Sequence, residues 1–252
     1  MSQNKSIRTS VIFVIVLGIA ALISSIFYAS SLLAIVGFCL VFWGALLLYI
    51  VPTKSNYLAI FLHASSEVAN ANIEKMLSAY GSHQHGIYLP AKWVPSMKNV
   101  DAIPVFVPKK LIEQNKLNEK DLLSIPGLYL TPPGAGLCRI LETQVGNSFS
   151  NINVQQFLEI IPSLLTKITG FAEVAKAQIS ENTLTIELTK NMFDATCQAT
   201  DEEPQTHKQV GCLLSSSLAC AIAKVTNTPV MITSEVRNLQ AKTTKIEYRV
   251  LA

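Results

Sequence analysis

From residue 11 to residue 51 the chain contains no Asp, Glu, Lys or Arg, and its main pause is Tyr28-Ala29-Ser30-Ser31. This pattern predicts two apolar helices, residues 11–27 and 32–51, joined by a very short connection. A helix needs roughly 20 apolar residues to cross a hydrocarbon core of about 30 Å, with about 17 as the lower limit. The first run meets the limit and the second is comfortable, so the expectation is a transmembrane hairpin that meets the lipid bilayer through residues 11–51. Past residue 54 the pattern becomes that of a water-exposed fold, which sets the expected division into an anchor, residues 1–54, and one domain, residues 55–252.

In that domain the periodicity changes repeatedly between helix and strand. A Ser55 cap, apolar residues such as Leu58, Leu62, Ile73, Met76, Leu77 and Tyr80 on one face, and Gly81 as the stop predict a long helix over 55–80. Short strands over 86–89 and 103–107 are each ended by a proline. Residues 109–126, polar and charged up to Ser124, form the candidate internal linker. An apolar strand over 127–130 then runs into a helix with Thr131 as its cap and Pro132 in the first helical position, carrying Leu137, Ile140, Leu141 and Val145 inward and stopping at Gly146.

A second helix over 153–169 stops at Gly170, and Pro162 should kink or split it. Residues 171–179 and 183–188 alternate about Ser180-Glu181-Asn182, a hairpin pattern with Leu184, Ile186 and Leu188 inward and Thr183 and Thr185 outward. A helical turn over 191–197, a polar flexible loop over 198–209, a helix of small residues over 211–225 and a last hairpin over 230–236 and 244–251 complete the pattern. The fold class expected is α+β: the helical hairpin, then a domain of short, mostly antiparallel strands and amphipathic helices.

Charge adds a direction. The formal net charge is +3, from 20 basic and 17 acidic residues, and the whole excess consists of Lys5, Arg8 and Lys54. These flank the two spans, and basic flanks stay in the cytoplasm, so the N-terminus and the domain are both expected on the cytoplasmic side of a two-span cell-membrane protein. Cleavage after Ala29-Ser30-Ser31, read as a signal-peptide site, would leave the second span delivering the domain to the same side. The domain is neutral and has no Lys/Arg cluster beyond Lys109-Lys110, which excludes the basic face of a nucleic-acid binder.

Cysteine usage fits that address. Cys39 lies in a span, and Cys138, Cys197, Cys212 and Cys220 show no C-x-x-C spacing, so reduced thiols are expected, with Cys212 and Cys220 two helical turns apart as buried packing residues. Three stretches offer chemistry with a plain structural alternative. His83 and His85 can share a metal on an extended segment, but glycines on both sides favour a solvated loop. The strand, turn and helix start over 127–137 can cradle an anion, but its two prolines remove N–H groups that such a site would use. Asp201, Glu202 and Glu203 with His207 can hold a cation, but four groups in one flexible loop read as surface. Cys138, His207 and Asp194 would make an enzyme only if the fold joined them. No catalytic residue, metal ligand set or cofactor is assigned.

The stretches Gly86-Ile87-Tyr88-Leu89-Pro90, Val105-Phe106-Val107-Pro108, 130–137 and 211–221 resemble a group of uncharacterised prokaryotic, archaeal-like membrane proteins with a two-span hairpin and a cytoplasmic domain. That resemblance implies the same architecture and brings no activity. Residues 210–251 are more distantly similar to the vinyl-reductase and TRAPP-like ligand-binding fold, although the Cys-rich signature of the former is missing. The function expected is a non-catalytic interaction module on a membrane anchor, with a protein partner or a homodimer formed through the helix near Ser216 and Ala219. The alternative is a sensor or carrier of a lipid-like ligand beneath the 211–225 helix, and a membrane-tethered enzyme is the third reading.

Overall fold

The structure, a computed structural model, describes residues 2–50, 56–94, 103–110, 124–201 and 203–251. The chain divides into two compact units, Met1–Leu58 and Ala59–Ala252. In the first, α1 (Ser2–Phe27) and α2 (Ser31–Ile50) are joined by a turn in which Ala29 adopts φ +49°. They meet along a seam of glycines: a methyl group on Gly18 would stand 2.9 Å from the Leu40 Cβ, and one on Gly37 would stand 2.9 Å from the Gly18 carbonyl oxygen. Small residues let helix backbones approach closely. The flanks away from the seam expose Phe13, Val16, Ile26, Phe38 and Trp43. Ser10–Phe27 is long and apolar enough to cross a membrane, and the described apolar part of the second helix, Ser31–Leu47, is slightly shorter. Pro204–Thr226 also meets the criteria, but most of it is buried within the second unit and serves as core.

The second unit is α+β, as the alternating pattern predicts. After α3 (Asn56–Tyr80), its seven strands are β1 (Ile87–Tyr88), β2 (Val105–Pro108), β3 (Gly127–Leu130), β4 (Val174–Ser180), β5 (Thr183–Thr189), β6 (Val230–Asn238) and β7 (Thr243–Val250). They form one sheet in the order β3-β2-β1-β6-β7-β5-β4, and every neighbouring pair is antiparallel. Within the candidate linker, residues 111–123 lie outside the described residues. Its flanks, Pro108 and Gly127, are register partners, so it joins two adjacent strands of one sheet.

One face of the sheet carries α4 (Ala135–Val145), α5 (Val154–Ser163), α6 (Asp194–Asp201), α7 (Pro204–Val210) and α8 (Leu213–Thr226) over the main core, which includes Phe149, Phe157, Leu164, Leu218 and Tyr248. Among the described residues, the opposite face is covered only near β1 and β2, where Ile87, Leu89, Val94, Phe106, Met231 and Leu251 form a smaller cluster. Beyond it, over β6, β7, β5 and β4, Val236, Lys245, Glu187, Lys176 and Gln178 are exposed.

The small-residue helix α8 is the centre of the core. Every residue from Leu214 to Ala223 is buried. Ser216 and Ala219 are both 0 % exposed, so the expected self-association through this face is corrected: the small side chains let other parts of the same domain approach. Gly134 does so most closely, its N–H donating to Ser216 Oγ at 3.1 Å. This contact also moves the expected helix start, because α4 is capped by Gly134 rather than Thr131 and its entrance is filled by α8. Along α4, Cys138 is buried and Ile140 is exposed, reversing the expectation for Ile140. Pro162 does disrupt its helix: α5 begins at an Asn153 and Gln156 capping box, passes Pro162, and widens into a π turn over Leu164–Ile168. In β5, Thr185 keeps the outward face that the alternation predicts, in register with Gln178 and Glu247, but is buried there.

The largest departure concerns residues 198–209, expected as a flexible polar loop. Most of the segment belongs to α6 and α7, and Glu74 of α3 caps α7 from far away in sequence, accepting from Thr206 N at 2.7 Å, Thr206 Oγ1 at 3.0 Å and Gln205 N at 3.3 Å. Asn70 of α3 donates to Thr200 Oγ1 at 3.1 Å. A carboxylate at a helix N-terminus satisfies free N–H groups and meets the positive end of the dipole. Glu74→Ala should cost about 1–2 kcal/mol, typical of a lost cap, and lower the melting temperature of the detergent-solubilised chain by several degrees. An unchanged melting temperature would show that the cap contributes nothing.

Candidate functional site

The site begins with a fault in β6. Val230, Met231 and Ile232 pair with Val250, Arg249 and Tyr248, but the register then slips, so that Ser234 faces Glu247, Glu235 faces Ile246 and Arg237 faces Thr244. Thr233 is the extra residue, and its hydroxyl donates to the Glu247 carbonyl at 3.0 Å. With strict alternation, Glu235 and Arg237 would share the open face with Met231. The bulge turns both toward the helices, beside the inward positions Ile246 and Thr244. Bulges re-aim side chains in this way and occur often beside functional sites.

Three helical elements meet these side chains. Cys197 lies in α6, His207 in α7, and Cys212 is the residue before α8. Gly211, between α7 and α8, adopts φ +75° against Ile232 and Ser215, a turn that suits glycine and leaves no room for a side chain. That turn brings Cys212 back onto Cys197. The two cysteines form a disulfide with Cα atoms 5.2 Å apart, closing a sequence separation of 15 residues. This corrects the expectation of reduced thiols for that pair. Cys138 and Cys220 are free and buried, and Cys39 is free.

Glu235 stands next to the sulfur pair. Its side chain is only 4 % exposed, and Oε1 lies 3.5 Å from both His207 Nε2 and Arg237 Nε. Neither oxygen accepts a hydrogen bond of ordinary geometry. Burial pushes the carboxyl upward, but the His207 ring, then Ser215 and the Arg237 guanidinium, outweigh it and hold the group below the usual carboxylate range. Arg237 Nη2 is 3.4 Å from the same His207 nitrogen, so that nitrogen accepts from Arg237 or donates to Glu235, not both. Ser215 Oγ is turned to Cys212, 3.3 Å from its carbonyl oxygen and 3.5 Å from its sulfur. The Cys197 and Cys212 sulfurs and a Glu235 oxygen all lie within 4.8 Å of one another, the one such group of three potential metal ligands among the described residues. Thiolate, carboxylate and imidazole are the donor types of zinc-class sites.

The other candidates lie elsewhere. His83 is exposed, while His85 is half-buried with its pKa lowered by burial and the Lys208 charge. Their loop is tied down, since Gln209 Nε2 donates to the Ser82 carbonyl at 2.5 Å and Ser82 Oγ to the Pro108 carbonyl at 2.6 Å. Of the acidic run, Glu202 lies outside the described residues, and His207 faces Glu235. Asp194 binds Asn191 Nδ2 at 2.5 Å, its carboxyl raised by burial against the opposing hydrogen bonds and the Arg237 charge. Cys138 has different charged neighbours, Lys224, Glu142 and Arg139, and burial pushes its thiol up to about 12. Asp194 and His207 are thus both near Arg237, whereas Cys138 belongs to the α4 and α8 contact.

Sequence reasoning recognised His207 for other reasons and missed Cys197 with Cys212, Glu235 and Arg237 as a group. The only local signal was two opposite charges, Glu235 and Arg237, two residues apart in a strand otherwise rich in Val, Ile and Thr.

No curated protein and no solved structure matches the chain. One family model, described as "Domain of unknown function (DUF7982)", matches residues 1–249.

Proposed function

The chain belongs to this DUF7982 family, and from that premise we propose that it is a membrane-anchored interaction module without catalytic activity. The observation that carries the docking half of this reading is the half of the sheet that none of the described residues covers. Over β4, β5 and β7 that face forms a shallow groove of about 390 Å³ lined by Val174, Lys176, Glu187, Thr189, Thr243 and Lys245. Lys176 is opposite Glu187, and Glu187 is opposite Lys245, a cross-strand charge pattern with exposed Val174 and Val236 at its flanks. Alternating charge of this kind suits a polar, charge-complementary protein surface more than a lipid-like molecule.

The anchor half rests on the uncharged hairpin and its exposed apolar flanks. The basic residues Lys5, Arg8 and Lys54 support a domain facing the cytoplasm. A lipid-like ligand beneath α8 would have to part that buried helix from the Gly134 turn, which disfavours a sensor or carrier of such a ligand.

Photo-crosslinkers placed at Lys176 or Lys245 of the full chain in native membranes should trap one defined protein, and a probe at exposed Ile140 should not trap it. The protein should stay with the membranes after an alkaline wash. Equal trapping at all three positions, or none, would overturn the docking reading, and release by the wash would overturn the anchor.

A further inference from the structure

We propose that Cys197, Cys212 and Glu235, once the disulfide is reduced, hold one zinc-class divalent cation, with His207 as the fourth donor. This goes beyond the docking reading and is independent of it. It rests on the anchor half of the proposed function, the cytoplasmic address that the flanking charges Lys5, Arg8 and Lys54 support. A cytoplasm keeps most thiols reduced, and reduction leaves two sulfurs beside a buried carboxylate. The step balances: a dithiol reductant gives two electrons and two protons to the Cys197–Cys212 bond and leaves as its own disulfide. Metal entry then releases both thiol protons as two metal–sulfur bonds form.

Geometry favours this occupant. Tetrahedral zinc with bonds of about 2.0–2.3 Å separates its donors by about 3.3–3.8 Å. The three donors here already lie within 4.8 Å of one another, on α6, at the entrance of α8 and on β6. They therefore come from packed elements and need only small shifts. His207 Nε2 is 3.5 Å from Glu235 Oε1 but stands outside that 4.8 Å group, so its ring must turn toward the sulfurs to serve as the fourth donor; it is the most exposed of the four, a path by which the ion can enter.

Charge supports the same conclusion. Two thiolates and Glu235 would place three negative charges in a buried site, a costly arrangement without compensation. A dication and the Arg237 guanidinium, 3.5 Å from Glu235, balance them. The bulge that turns both Glu235 and Arg237 inward thus supplies a ligand and a counter-charge together.

The test uses the full chain in detergent with cobalt(II) alone as the optical probe. After reduction and removal of the reductant, one equivalent should give a sulfur-to-cobalt charge-transfer band and tetrahedral visible bands, both erased by added zinc(II). The oxidised protein should give neither. Cys212→Ser should abolish the bands, and Glu235→Gln should weaken affinity by at least about tenfold, the smallest loss expected even for a partner outside the ligand set. Cys220→Ser, which changes a buried thiol outside the group, should leave both unchanged. Because Cys212→Ser also removes the disulfide, zinc-dependent thermal stabilisation is measured in parallel: at one zinc concentration it should be clearly smaller in reduced Glu235→Gln than in the reduced wild type. No band in the reduced wild type, a band that survives Cys212→Ser, or unchanged affinity in Glu235→Gln would each overturn the site and leave a structural disulfide only.

Discussion

Gly134→Ala is expected to destabilise the second unit by about 3 kcal/mol or more, a loss reserved for the most severe core substitutions. The reason is not backbone freedom, since Gly134 has an ordinary φ of −81°. A methyl group there would meet the backbone of α8, 2.5 Å from the Ser216 carbonyl carbon and 2.5 Å from Ser217 Cα, as well as the Ser217 nitrogen. Flexible side chains can move aside, but these atoms belong to a helix buried along its length. The turn would have to withdraw, breaking the 3.1 Å bond from Gly134 N to Ser216 Oγ. Gly136→Ala is the matched control, because a methyl there meets nothing within 4 Å and lies in α4. It should be neutral or stabilising by up to about 1 kcal/mol. Thermal and urea denaturation of both variants would decide the point, and a Gly134→Ala protein within about 1 kcal/mol of wild type would refute the close approach.

The same contact shows what the sequence could and could not reveal. Hydrophobic periodicity located α4, α5, α8 and the two late hairpins, because each buries a face with a period set by its own local geometry. It could not identify the partner of the small residues in α8. Serine and alanine are consistent with an interface between chains or with a tight internal contact, and only the packing of Gly134 decides between them. Residues 198–209 failed for a related reason. Their polarity reads as solvent exposure, but Asn70 and Glu74 supply buried partners from more than 120 residues away. Long-range satisfaction of polar groups leaves no local pattern.

The candidate site was still less legible. A one-residue slip reverses which face a strand side chain occupies, so the bulge at Thr233 hides the inward placement of Glu235 and Arg237 from any period-2 reading. The cysteine spacing was equally uninformative, since 15 residues separate Cys197 from Cys212 and two short helices bring them together. The turn at Gly211 was visible only as a helix boundary. Each clue had an ordinary local explanation, and the chemical meaning arose from the coincidence of the bulge and the turn.

Glu142→Ala is the second substitution expected to have a large effect, about 3–5 kcal/mol, the usual cost of leaving one member of a buried ion pair alone. Lys224 of α8 meets Glu142 of α4 at 2.7 Å, with side chains 10 % and 13 % exposed. The other carboxylate oxygen accepts from Ser148 Oγ at 2.8 Å and Phe149 N at 2.9 Å, so one side chain joins two helices and the following turn. Replacing both charged residues by leucine should recover much of the loss, because the buried ammonium is removed with its partner. The pH dependence has a definite sign. Burial pushes the Glu142 carboxyl upward, but Lys224, the Phe149 N–H and the Ser148 hydroxyl outweigh it and leave its folded pKa below the ordinary value. Its contribution is therefore fully present above the unfolded pKa of about 4.3 and is lost as pH falls through the lower folded value. Denaturation of wild type and Glu142→Gln should show a stability gap that is constant above about pH 5 and narrows in acid. A gap independent of pH would mean that packing, not charge, joins α4 to α8.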